Sequence, residues 1–97
     1  MTGLADLTRD YRAAFLRYLP RRDEAALRTA YELGRTAVAE RISVLELASL
    51  HHDVLLEVLH DTDKEDLPRL AASASEFFLE VLATYDMTQR GLHEPTS

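Results

Sequence analysis

Three of the four histidines crowd into one segment, His51, His52 and His60, with Asp53 and Glu57 among them. Imidazole beside carboxylate is the raw material of metal binding and of acid–base chemistry. On a helix, Asp53, Glu57 and His60 stand at i, i+4 and i+7 and share a face. Their spacing is not the Glu-x-x-His pair of a di-iron bundle, and no second stretch repeats it. A phosphoaccepting histidine must be exposed. His52, on a helix flank, and His60, on a polar strip, are the geometric candidates, although neither precedes the Lys-Gly pair typical of histidine phosphotransfer domains. The chain has no cysteine, which removes disulfides, thiolate metal sites and thiolate nucleophiles. Three scattered glycines make no phosphate-cradling loop. Seventeen acidic residues produce carboxylate neighbours by chance, and no Ser-His-Asp set assembles among them. The expectation is a chain with no catalytic residue, no metal and no cofactor, in which Asp53, Glu57 and His60 form a solvated strip.

His51 stands apart from that strip, inside an apolar stripe. A buried imidazole needs a hydrogen-bond partner, and a backbone carbonyl or one of Tyr11, Tyr31 and Tyr85 is expected to supply it. A small-ligand pocket around His51 and these tyrosines is an alternative use of the same residues.

The elements that must position these groups are helices. No run alternates apolar and polar residues long enough for a strand, and no Asn-Gly or Asp-Gly hairpin turn occurs. Leu4, Leu7, Tyr11, Ala14, Phe15 and Tyr18 predict a helix over 4–19, stopped by Pro20. Asp23 caps a second over 24–40, with Leu27, Ala30, Tyr31, Gly34, Ala37 and Val38 towards the core. Gly34 lies in mid-stripe, at a cost of ~1 kcal/mol of helix propensity, which implies close approach of another helix. Ser43 and Glu46 form a capping box that opens a third helix over 44–59, with Ile42 and Leu47 as its staple. Leu47, Leu50, His51, Val54, Leu55 and Val58 face inward, and only a narrow strip of this helix is polar. So much apolar circumference favours a second packing partner. Pro68 belongs to the first turn of a fourth helix over 67–90, capped from Asp66 or from a Thr62–Glu65 box. Its core stripe is Leu67, Leu70, Ala74, Phe77, Phe78, Val81 and Tyr85, Gly91 suits its exit, and 91–97 reads as a tail. Three short connections join four amphipathic helices, which predicts one all-α domain over 1–97. Its fold class is an antiparallel four-helix bundle with a long C-terminal helix.

Charge and composition narrow the function. With 17 acidic against 11 basic residues the formal charge is -6, so nucleic acid and anionic membrane surfaces are poor partners. No apolar stretch approaches the roughly 20 residues of a membrane helix, and the first ten residues do not read as a signal peptide. A cytoplasmic location follows as the expectation. The fourth helix also carries a second, weaker apolar ridge off its core stripe: Ala72, Leu79, Ala83 and Met87. Several such residues in a row suggest a protein contact, where one alone would not.

The order of these motifs is similar to a known family. Ala30-Tyr31-Glu32-Leu33-Gly34-Arg35 leads to Ile42-Ser43-Val44-Leu45-Glu46-Leu47, then to Ser49-Leu50-His51 and Val54-Leu55. After a turn come Phe78-Leu79-Glu80-Val81 and Tyr85-Asp86-Met87. The series, over about Asp10 to Arg90, resembles the N-terminal domain of RsbU-type phosphatases of the general stress response. The resemblance implies a dimeric, non-catalytic four-helix module that receives a switch-protein kinase of the RsbT type. Binding would activate a linked PP2C-like phosphatase, which acts on an anti-sigma-factor antagonist and frees a sigma factor. It further implies a partner face between the second and fourth helices, with Arg28, Leu79 and Ala83 on it. The competing expectations, a histidine phosphotransfer-like bundle and a small-ligand sensor, stay open at this point.

Overall fold

The structure, a computed structural model, describes residues 3–93, and every regular element in that range is helical. Helix α1 spans Leu4–Arg21, α2 Glu24–Ala39, α3 Val44–His60 and α4 Leu67–His93, with a short 3-10 turn over Lys64–Asp66 before α4. The predicted starts at 4, 24, 44 and 67 agree with these bounds, and the ends differ. Pro20 does not stop α1, because a proline in the last turn removes only its own N–H bond. The helix continues to Arg21 and ends where Arg22 turns left-handed at φ 51°. Gly91 does not end α4, which continues to His93; the expected tail over 94–97 lies outside the described residues.

Local chemistry explains the other boundaries. The Asp23 side chain accepts from the Ala25 amide at 2.9 Å. Ser43 and Glu46 exchange side-chain and backbone bonds at 3.0 and 3.1 Å, the reciprocal cap expected of them. Thr62 opens no helix: its hydroxyl donates to the Val58 carbonyl at 2.6 Å and closes α3 instead.

Successive helices run in opposite directions, which leaves α2 and α4 pointing the same way. Arg22, in the turn between α1 and α2, reaches Ser73 and Glu76 near the start of α4. At the other end, the Tyr85 hydroxyl donates to the Ile42 carbonyl in the turn after α2, at 2.8 Å. The closest pair is α2 and α4, and α1 packs on both, while α3 lies on α1 and α4. Gly34 makes that closeness possible. A Cβ there would fall far inside van der Waals contact of the Val81 carbonyl oxygen, 2.9 Å from Thr84 Cβ and 2.9 Å from the Tyr85 amide nitrogen.

The core is centred on Tyr11, Phe15 and Phe77, whose rings pack at centroid distances of 5.2 to 5.9 Å. Two residues assigned inward by periodicity lie outside: Leu4 and Tyr31 are exposed. Ala26 and Leu33 take the inward places on α2, because its buried side is shared between α1 and α4 and is wider than one stripe.

Candidate functional site

Two places gather the residues that the sequence points to. The first is His51. Its Nδ1 meets the Tyr11 hydroxyl, and its ring lies flat on Phe78, 3.9 Å between centroids and 3° between planes. The edges of Tyr11 and Phe15 complete the surround at 5.9 and 5.8 Å. Burial, with His52 a smaller contributor, lowers the His51 pKa to about 4, so the ring is neutral near pH 7. Burial also raises the Tyr11 pKa, so that hydroxyl keeps its proton. With both groups neutral, the tautomer protonated on Nε2 lets Nδ1 accept from the Tyr11 hydroxyl. His51 is half-buried and bonded as the tyrosine expectation had it; Tyr85 is committed to Ile42 instead. Aromatic rings fill the space around His51, so this cluster reads as packing that ties α1 and α4 to α3.

His52 and His60 are exposed. The strip does not act as a unit, because Glu57 is drawn across to Arg12 of α1 at 2.6 Å. Among the described residues, no three His, Asp or Glu side chains gather as metal ligands would.

The second place is the outer side of α4. Opposite the buried Ala74, Phe77 and Val81, the residues Ala72, Leu79, Ala83 and Met87 all face out. Leu79 is 63% exposed and Met87 64%. Such exposure on a helix whose far side is core is a cost that folding alone does not require. Arg28 is also exposed, on the outer side of α2. Tyr31, 40% exposed, stands one turn further along the same flank, and Arg35 follows at i+7. Arg35 lines a shallow cleft with Val38, Ala39 and Thr88 that joins this flank to α4. Tyr31 is the residue that stripe-reading misplaced: it adds an aromatic ring beside Arg28. The signal was there in the 100° step, which turns Tyr31 about 60° away from Gly34 on the wheel.

The α4 ridge is held from both ends. Near its start, Arg22 Nε lies 3.2 Å from Ser73 Oγ and 3.3 Å from Glu76 Oε1, and the Tyr18 hydroxyl donates to that same carboxylate at 3.2 Å. Burial and the Glu76 charge raise the Tyr18 pKa accordingly. Near its end stands the Tyr85–Ile42 bond. No helix is long and apolar enough to cross a membrane among the described residues. The arrangement offers a mixed apolar and cationic surface.

Neither a curated protein nor a solved structure gives a match. A family model does, over residues 9–88: "Phosphoserine phosphatase RsbU, N-terminal domain". That span takes in all of α2 and α3 and both residue groups just described. The chain belongs to the RsbU N-terminal domain family, the regulatory domain of RsbU-type phosphatases.

Proposed function

We propose that this chain is the input domain at which an RsbU-type phosphatase receives its activator. A switch-protein kinase of the RsbT type docks on the α2–α4 side, over Arg28, Leu79, Ala83 and Met87, with Ala72 at the near edge. The domain works as a homodimer in the cytoplasm, catalyses nothing itself, and passes the docking event along α4 to a PP2C-like phosphatase that controls a sigma factor. The observation that carries this is the exposed ridge: Leu79 and Met87 in line on a 27-residue helix, opposite its core face. Arg28 and Tyr31 supply a cation and an aromatic ring beside it, residue types enriched where partners bind tightly. The switch needs two arrangements of the dimer and a partner with unequal affinity for them. A tenfold preference corresponds to about 1.4 kcal/mol, which a few ridge contacts supply.

Leu79→Asp tests the docking face. It puts a charge into the centre of the surface and removes nothing from the core. Calorimetric titration with an RsbT-type kinase is expected to lose binding, while circular dichroism and the urea midpoint stay at the parent values. Unchanged binding would remove the α4 ridge from the proposal.

A further inference from the structure

Helix α3 has an outer face that no described helix packs against closely. The helix packs mainly on α1 and α4, and on its far side stand Leu45, His52 and Leu56, exposed, with Ala48 and Leu59, half-buried. Leu45 is 74% exposed and Leu56 45%. The pattern along this face is self-complementary about His52. Leu45 and Leu59 lie seven residues to either side of it, and Ala48 and Leu56 four to either side. An isologous contact demands that symmetry, since residue i must meet j while j meets i.

The ends of α3 are complementary in charge under the same operation. Arg41, in the turn before α3, is exposed and enters no ion pair among the described residues. The turn after α3 carries Asp61 and Asp63, which are also exposed and also unpaired among the described residues. Arg41 precedes His52 by the same eleven residues by which Asp63 follows it. An antiparallel partner helix therefore brings the exposed Arg41 of each copy, which stands beside a half-buried Glu40, to the acidic Asp61–Asp63 turn of the other, and it opposes the two helix dipoles favourably. A parallel arrangement would set acidic turn against acidic turn.

We infer that this face is the seam of the homodimer: α3 packs antiparallel on α3 of a second copy, with His52 on the twofold axis. The inference rests on the homodimer reading above and adds the face, the direction and the register. Helices packed at about 8–10 Å with Cα atoms about 2.3 Å from each axis leave facing Cα atoms about 3.5–5.5 Å apart. That overlaps the roughly 4.4–6.8 Å that a disulfide spans.

The cysteine-free chain makes the test direct. His52→Cys is expected to give a disulfide-linked dimer on mild oxidation, because each residue 52 faces its own copy. Leu45→Cys alone is expected to stay unlinked, because it faces Leu59, but to link when mixed with Leu59→Cys protein. Contact raises the effective concentration of the thiols, so the His52→Cys dimer is expected roughly tenfold or more above the Leu45→Cys level. Sedimentation velocity of the unsubstituted 97-residue chain runs alongside. A dimer in which position 52 fails to link, or links no better than Leu45→Cys or Leu79→Cys, overturns the seam and leaves the homodimer reading standing. A monomer at high micromolar concentration overturns both.

Discussion

Replacing Gly34 by alanine sets two well-separated effects against each other. Alanine gains about 1 kcal/mol over glycine in a helix interior, so on propensity alone the variant is more stable. The packing opposes this. The added methyl would meet the Val81 carbonyl oxygen, Thr84 Cβ and the Tyr85 amide nitrogen, the last two at 2.9 Å. Two of these three atoms are backbone, and Thr84 is itself buried, with its hydroxyl bonded to the Glu80 carbonyl. No flexible side-chain end can swing aside, so α2 and α4 must part by nearly an ångström, which also loosens Phe77, Val81 and Ala30. Overpacking of this kind costs typically 1–3 kcal/mol, and a clash with backbone at two of three contacts belongs at or above the top of that range. The net expectation is a loss of about 2 kcal/mol or more. For a chain of this size a loss of about 2 kcal/mol lowers Tm by roughly 8–16 °C. Urea denaturation followed by circular dichroism measures it, with Gly91→Ala as the control. Gly91 lies in α4 with nothing within 4 Å of its would-be Cβ, so only propensity acts there and a gain of a few tenths of a kcal/mol is expected. A Gly34→Ala midpoint at or above the parent value would refute the close approach of α2 and α4.

His51→Ala deletes the Tyr11 acceptor and the ring stacked on Phe78, and is expected to cost about 1–3 kcal/mol; an unchanged urea midpoint would count against the bond. Because burial holds the folded His51 pKa near about 4, below the ordinary value of about 6.5, the unfolded chain binds the extra proton between those values. Stability from this group is therefore fully present above pH ~6.5 and falls away as pH drops towards ~4. His51→Gln should flatten a Tm-against-pH profile in that window, and an equally steep profile would assign the slope to other groups. Ser43→Ala removes one half of the capping box and should cost about 1 kcal/mol, read as a lower urea midpoint with the slope unchanged. A midpoint within error of the parent would show that the cap contributes nothing.

The helix starts were legible because caps and prolines are chemical signals in single residues. Asp23 and Ser43 bond as their types dictate, and Pro68 sits in the first turn of α4. The ends were less legible. Pro20 and Gly91 look like terminators in sequence, yet each removes only local stabilisation, and the helices continue to Arg21 and His93. Core membership failed on α2, which α1 and α4 approach from two sides. One stripe per helix described α4 well, but α2 is wedged between α1 and α4, so Leu33 and Ala26 turned inward and Tyr31 outward. The Tyr11–His51 bond was foreseeable in kind, since a half-buried imidazole requires a partner. Which of three tyrosines would serve depended on helix order in space, which periodicity does not carry. The α4 ridge was legible for the converse reason: a surface apolar residue opposite a known core stripe needs no tertiary information to identify.

The two anchorages of α4 have a consequence for its dynamics. Ser73 and Glu76 are pinned by Arg22 and Tyr18 at one point, and Tyr85 is pinned to Ile42 at another. Between these points the helix is a beam fixed at both ends, and Leu79 and Ala83 ride on it. Past Tyr85 the hold is lighter: Thr88 still borders α2, and the last two turns, roughly 12 Å, bear Met87 and are braced by the Asp86–Arg90 pair. Opening free energies differ between such regimes even inside one continuous helix. Amide hydrogens from Ala74 to Thr84 should exchange only with global unfolding, and those beyond Asp86 by local fraying. A partner that touches both Leu79 and Met87 would bridge the stiff and the compliant length, and the protection it adds would fall almost wholly on the latter.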